Sequence, residues 1–174
     1  MTVTSWTVRR PARPGEPGSH GGPVRVCLAY SPGGHCTELR KALEQSDLPP
    51  AVHVSFRPGG HQREEWPDAV RYHWLVHPRR NLLRLTANLL QALVVVLRER
   101  PQVVVASGAD VTVAFVILAK LLCRAHVVFI ESGGELGPTL SGRLCYPFSD
   151  YFVVQWPEQA VRYPRAVGGW GALL

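Results

Sequence analysis

The sequence predicts an α/β protein, a Rossmann-like parallel sheet with helices on both faces. Three observations lead there. Short apolar runs rich in β-branched residues alternate with helix-spaced apolar patterns from Val24 onward. Several of those runs, Val24–Tyr30 among them despite Arg25, are continuous enough in apolar character to be strands buried on both faces. Three runs also end in turns of small and polar residues, at Gly33–His35, Gly108–Asp110 and Glu131–Gly134. In open parallel sheets, ligands bind outside the carboxyl ends of the strands, where these turns fall.

Taken in order, residues 1–23 are rich in Pro, Gly and Arg without apolar periodicity and read as a disordered tail, leaving 24–174 as the α/β domain. Arg9-Arg10 is followed by Pro11–Gly22 where a secretion signal needs an apolar core, so no such signal is expected. Val24–Tyr30 is the first strand. Ser31-Pro32-Gly33-Gly34-His35-Cys36-Thr37-Glu38 turns the chain into a helix from about His35 to Ser46, whose Leu39, Ala42 and Leu43 share a face. Ala51–Phe56 reads as the second strand and Arg57–Asp68 as a polar loop. That loop repeats the tripeptide Gly-Gly-His, at Gly59–His61, but no apolar helix follows it. Tyr72–Val76 is the third strand.

The longest helical pattern runs from Arg79 to Glu99, with Pro78 at its entry and Pro101 as its stop. Leu82, Leu85, Leu89, Leu93 and Val96 form a stripe that Leu83, Ala87, Leu90, Val94 and Leu97 widen, while Arg80, Arg84, Asn88 and Gln91 mark a narrow polar side. A face this wide suits a helix covering a sheet; a basic amphipathic helix lying in a membrane interface is the open alternative. Gln102–Ala106 is the fourth strand, Val111–Cys123 a helix, Val127–Ile130 the fifth strand, Leu140–Phe148 a short helix and Tyr151–Gln155 the sixth strand. Trp156–Leu174 reads as a tail exposing Trp170, Leu173 and Leu174.

A chain of 174 residues is the length of one domain, and 46% hydrophobic with 18% charged residues places it among globular proteins rather than disordered ones. The net charge of +6 favours polyanions or an anionic membrane surface as neighbours. The arginines are scattered, and neither zinc-finger spacing nor an RNA-recognition aromatic motif is present, so nucleic acid is not indicated. Cys27, Cys36, Cys123 and Cys145 match neither a metal site nor a disulfide framework and read as buried thiols; no metal or cofactor is implied. The longest apolar run, Val113–Ala119, is far short of the ~20 residues that span a bilayer, so a soluble or peripheral chain is expected.

The chemistry concentrates at Ser31–Glu38. Paired glycines let the backbone turn tightly and leave its N–H groups open to a ligand, and the following helix aims its positive end at the same place. His35 adds an imidazole, a side chain whose ordinary pKa of about 6.5 suits proton transfer. An anionic, phosphate-bearing ligand with a proton to move is expected there; a turn that merely needs glycine is the plain alternative. Glu38 reads as a carboxylate suited to the helix dipole, Asp110 as an N-cap or a ligand contact, and Glu131, leaving a buried strand, as a functional carboxylate. The turn is not G-x-G-x-x-G, and the second strand ends in Ser55-Phe56-Arg57 without the ribose-binding acid. Arg57 suits a 2′-phosphate, which weakens NADP without removing it. G-x-x-x-x-G-K-[ST] and G-x-S-x-G are both missing, so nothing supports an NTPase or a hydrolase.

Four stretches in order carry a more specific resemblance: Ser31–Leu39, Arg98–Asp110, Ile130–Ser132 and Ser141–Trp156. Together they resemble the small-subunit family that anchors the second N-acetylglucosamine transferase of dolichol-linked glycan assembly, and its bacterial PssD-like relatives in exopolysaccharide and capsule synthesis. The resemblance covers roughly Val24–Gly169. It implies a single GT-B N-terminal-type half-domain, the acceptor side of a split glycosyltransferase whose separate partner binds the UDP-sugar. It implies a polyprenyl-diphosphate glycan as acceptor, at the cytoplasmic face of the membrane, with N-acetylglucosamine or glucuronic acid transferred. On that basis His35 or Glu131 is expected as the general base, with Gly33, Gly34, Ser107, Gly108, Asp110 and Ser132 around the acceptor and its phosphates. Trp156, Trp170, Leu173 and Leu174 are expected to dock the partner. The chain departs from the family in having a Pro/Arg tail where eukaryotic members carry a membrane helix, and Gly133-Gly134-Glu135 where relatives carry a basic residue. Two other readings stand beside this one: a non-catalytic scaffold that recruits the donor-binding partner, and a stand-alone sugar-nucleotide-binding protein.

Overall fold

The computed structural model of the chain describes residues 23–57, 66 and 69–168. Its centre is a seven-stranded sheet: β1 (Val26–Tyr30), β2 (Ala51–Ser55), β3 (Ala69–Trp74), β4 (Val103–Ser107), β5 (His126–Ile130), β6 (Tyr151–Val154) and β7 (Val167–Gly168). The spatial order is β3-β2-β1-β4-β5-β6-β7, and the pairings are parallel. The chain therefore builds outward from β1 in one direction and then, from β4, in the other. The reversal lies between β1 and β4, where such sheets open a crevice at their carboxyl ends.

The helices α1 (Gly34–Leu43), α2 (Leu82–Glu99), α3 (Asp110–Cys123), α4 (Leu140–Cys145) and α5 (Pro157–Ala160) connect the strands, with a 3₁₀ turn at Tyr146–Phe148. Because strand side chains alternate, β1 feeds two cores. Cys27 and Ala29 join Phe115, Val116 and Ala119 of α3 and Val95 and Val96 of α2 on one face. Val26, Leu28 and Tyr30 join Cys36 and Leu39 of α1 on the other. The four cysteines are reduced; burial, then Glu99 or Glu131 nearby, pushes the Cys27 and Cys145 thiols up to about 12 and leaves them unreactive.

The expected elements are present, with three corrections. β3 begins three residues earlier than Tyr72 and ends at Trp74, because a register shift between Ala51 and Val52 lets β2 pair back to Ala69. Trp156–Leu174 is not structureless throughout: Pro157 starts α5, and Val167–Gly168 adds β7 beside β6. The largest correction concerns α2. Its leucine stripe does not cover the sheet; Leu82, Leu83, Leu85, Leu89 and Leu90 are exposed.

Of the residues taken as the polar side of α2, Asn88 and Gln91 face inward instead, whereas Arg84 is exposed and Arg80 precedes the helix. Asn88 is 0% exposed, and its amide donates to the carbonyls of Val76 (2.9 Å) and Val111 (3.1 Å). Gln91 accepts from the Val76 N–H at 2.7 Å. Together they lock the β3–α2 loop and the start of α3, and the small or β-branched Ala92, Val95 and Val96 allow close packing on α3. The tail 1–22, most of the 57–68 loop and residues 169–174 lie outside the described residues.

Candidate functional site

The carboxyl ends of β1, β4 and β5 bring Ser31–Glu38, Ser107–Asp110 and Glu131–Glu135 together. Gly33 takes φ +87° as the residue before α1, a conformation glycine adopts without strain. A Cβ added at Gly33 or Gly34 would meet nothing within 4 Å, so this turn is open to an approaching ligand. Gly108, with φ +36°, is required for another reason: a Cβ there would overlap the His35 ring. The imidazole of His35 thus lies against the bare backbone at the end of β4, across the β1/β4 crevice.

His35 Nδ1 faces Glu38 Oε2 at 3.2 Å and Ser107 Oγ at 3.4 Å. Its Nε2 has no hydrogen-bond partner among the described residues, and its side chain is 24% exposed. Glu38 does not lie in the first turn of α1 as expected, since the helix starts at Gly34 and carries no acid there. It is 2% exposed and accepts three hydrogen bonds, from Ser107 Oγ (3.0 Å), the Gly133 N–H (2.8 Å) and His35. Burial by itself would raise the Glu38 pKa, but those donors outweigh it and hold the carboxyl below its ordinary value. One carboxylate therefore joins all three loops. Its i, i+3 spacing from His35 puts both on one helix face and permits the pairing, but the sequence does not single it out against Glu131.

Glu131 has a different environment. It is 0% exposed; Oε1 accepts from Thr139 Oγ1 (2.7 Å) and the Ser132 N–H (3.0 Å), and Oε2 from the Tyr163 hydroxyl (2.9 Å). Gly142 makes room for it, because a Cβ there would overlap Oε2. This carboxylate fastens the β5–α4 loop (residues 131–139) and, being fully buried, is not exposed to an acceptor. Gln155, Trp156 and Gln159 hold the same loop from the other side. Gln159 donates to the Ser132 carbonyl (2.7 Å) and the Glu135 carbonyl (2.8 Å) and accepts from the N–H groups of Gln155 and Trp156. Gln155 donates to the Glu131 carbonyl and Trp156 Nε1 to the Gly133 carbonyl, each at 2.8 Å. Trp156, expected to dock a partner, thus has an internal task. Trp170, Leu173 and Leu174 lie outside the described residues.

Of the other expected contacts, Ser107 is fully buried with its hydroxyl committed to Glu38. Ser132 Oγ accepts from the Gly134 N–H at 3.2 Å. Asp110 is not an N-cap: Ala109 holds that position, and Asp110, the first residue of α3, faces His77 Nε2 at 3.5 Å. His77 leads to an open cleft of about 610 Å³ at the edge of the sheet, which Arg57, Tyr72, Trp74, Arg79 and Arg84 also line. None of these three arginines has an acidic partner among the described residues. The exposed leucines of α2 begin just beyond, at Leu82 and Leu83. Among the described residues no group of His, Cys, Asp or Glu is arranged to hold a metal, and no helix is long and apolar enough to cross a membrane.

A parallel sheet of this order with its crevice at β1/β4 is a Rossmann-like fold. Solved structures agree on the fold. A UDP-N-acetylglucosamine 2-epimerase from Rickettsia bellii superposes with a TM-score of 0.63 at 12% identity, covering 87% of this chain and 46% of its own. Acinetobacter baumannii MurG superposes with a TM-score of 0.54 at 14% identity, covering 78% of this chain and 42% of its own. This chain spans less than half of those proteins. Residues 80–172 match the family "Oligosaccharide biosynthesis protein Alg14 like", and the chain belongs to it. Among its relatives, the UDP-N-acetylglucosamine transferase subunit ALG14 of Eremothecium gossypii is 32% identical over 86% of this chain and 80% of its own length. The mouse subunit of the same name is 25% identical over 83% and 81%.

Proposed function

We propose that this chain is the acceptor-side subunit of a two-component glycosyltransferase, with His35 as its general base. The observation that carries the reading is the open Nε2 of His35, held at the β1/β4 crevice beside an unobstructed glycine turn. In the reaction, Nε2 takes the proton of the acceptor hydroxyl as its oxygen attacks the anomeric carbon of a UDP-sugar. The bond from that carbon to the diphosphate breaks, UDP leaves and the configuration inverts. A positioned base of this kind contributes about 10²–10⁴-fold. The donor is a UDP-N-acetylglucosamine, as the names of the relatives suggest, with UDP-glucuronic acid the other donor the sequence allows. A separate chain binds it. The names of the relatives, each a transferase subunit, support that division.

The acceptor is a polyprenyl-diphosphate glycan of exopolysaccharide or capsule assembly, met peripherally at the cytoplasmic face of the membrane. Gly33, Gly34 and the amino end of α1 suit its diphosphate. The exposed leucines of α2 beside Arg79, Arg80 and Arg84 suit the lipid surface, with apolar side chains in the interface and guanidinium groups among anionic headgroups. Residues 169–174, with Trp170, Leu173 and Leu174, carry the contact with the donor-binding chain. Replacing His35 by Ala in the complex, assayed with a panel of UDP-sugars, should lower turnover a hundredfold or more while the two chains still co-purify. Near-normal turnover would remove the base assignment, and loss of the complex would point to the scaffold reading.

A further inference from the structure

We infer that Glu38 is the positioning carboxylate of this site: it fixes the His35 proton on Nδ1 and so leaves Nε2 with the lone pair that accepts a proton. The inference rests on the reading of His35 as the base and adds the residue that prepares it. Every group facing Nδ1 is an acceptor. Oε2 of Glu38, at 3.2 Å, belongs to a carboxylate that also accepts from Ser107 Oγ and the Gly133 N–H, as an ionised carboxylate does. Ser107 Oγ, at 3.4 Å, has its hydrogen committed to that same Oε2 at 3.0 Å and can offer Nδ1 only a lone pair. A neutral imidazole carries one N–H and one bare nitrogen, so the proton belongs on Nδ1 and the base is Nε2.

Burial makes a purely structural account of Glu38 expensive. A carboxylate at 2% exposure loses most of its hydration, and among the described residues no Lys or Arg pairs with it. The site keeps a buried negative charge whose nearest titratable neighbour is the histidine. When Nε2 takes a proton, the positive charge that forms on the ring is stabilised by Glu38, which is the work of a carboxylate behind a basic histidine. Gly108 completes the arrangement by leaving room for the ring at the end of β4, where a Cβ would overlap it.

The isosteric variant Glu38→Gln reverses this logic. The Gly133 N–H, at 2.8 Å, requires an oxygen at the position of Oε1. The carbonyl of Gln must therefore sit there, and its amide NH₂ faces Nδ1. A donor at that point calls for a lone pair on Nδ1 and sends the proton to Nε2, the wrong tautomer for a base.

Long-range ¹H–¹⁵N spectra of the histidine-labelled chain at about pH 8, well above the ordinary histidine pKa, read the tautomer directly; His35→Gln identifies the signal among the seven histidines. The wild type is expected to carry Nδ1–H, and Glu38→Gln to carry Nε2–H with an otherwise native amide spectrum. In the complex, Glu38→Gln should lower kcat a hundredfold or more with KM changed less than threefold. Nε2–H in the wild type overturns the inference whether or not the variant folds, as does an unchanged tautomer in a folded variant. The expected tautomers together with a fully active His35→Ala complex would leave Glu38 as the group that orients His35 and overturn the base reading instead, so the two failures are distinct.

Discussion

Lowering the pH from neutrality to about 4.5 is expected to remove roughly 2–3 kcal/mol of stability through His53 alone. His53 is 1% exposed, shares a 2.8 Å hydrogen bond with the Tyr30 hydroxyl and lies among the rings of Tyr30, Trp66 and Tyr72. Burial lowers its pKa from 6.5 to about 4. Between those values the unfolded chain binds a proton that the folded chain refuses. The stabilisation is therefore complete above pH 6.5 and is lost as the pH falls toward 4. One proton changes stability by about 1.4 kcal/mol per pH unit, and domains of this size are stable by only about 5–15 kcal/mol. Glu38, Glu99 and Asp150 act in the same direction but in a lower window, because their pKa values are held below 4.5, 4.5 and 3.8 and their contribution is lost only as the pH falls through those depressed values. The assay is urea unfolding at several pH values between 7.5 and 4.5, comparing wild type with His53→Gln, which keeps an acceptor for Tyr30 but does not titrate. The difference between the two stabilities should shrink by 2 kcal/mol or more across that range. Parallel curves would refute the reasoning.

The other predictions concern the loop, the surface and the tail. Gly142→Ala should destabilise the fold by about 3 kcal/mol, because the new Cβ displaces the buried Glu131 carboxylate from Tyr163; a change in urea midpoint worth less than about 1 kcal/mol would contradict the packing described. Leu83→Asp combined with Leu90→Asp should cut binding to anionic vesicles at least tenfold and leave thermal stability nearly unchanged, since both side chains are exposed; equal flotation of variant and wild type would remove α2 as the membrane face. Ending the chain after Gly168 spares β7 and should abolish co-purification with the donor-binding chain; an intact complex would place the contact elsewhere.

The strands and helices were legible because each carries its pattern within a few residues. Val26–Tyr30 and Val103–Ala106 are apolar throughout, as doubly covered strands are, and α3 is apolar over most of its circumference. β7 was not legible, because two residues carry no period and depend on β6 for pairing. The wide apolar stripe of α2 misled in an instructive way. Hydrophobicity alone assigns leucines to the core, yet the inward face belongs to Asn88, Ala92, Val95 and Val96, because α3 approaches closely and the β3–α2 loop needs partners for its backbone polar groups.

The crevice followed the same division. Local sequence sufficed to mark Ser31–Glu38 as a glycine turn entering a helix, and to mark His35 as its titratable group, since turn geometry and helix polarity are set by neighbours in the chain. Which carboxylate belongs to His35 was a matter of three-dimensional proximity. Glu131, the acid that looked functional, is fully buried and accepts from Thr139, Ser132 and Tyr163 rather than from His35. Glu38, which looked like a dipole partner, accepts from Ser107, sixty-nine residues away, and from Gly133, ninety-five away. The sequence by itself determined the class of fold, the glycine turn and the family. The tertiary structure decided which carboxylate faces the histidine and which face of α2 meets solvent, because both depend on hydrogen-bond partners and packing neighbours that only the assembled sheet brings together.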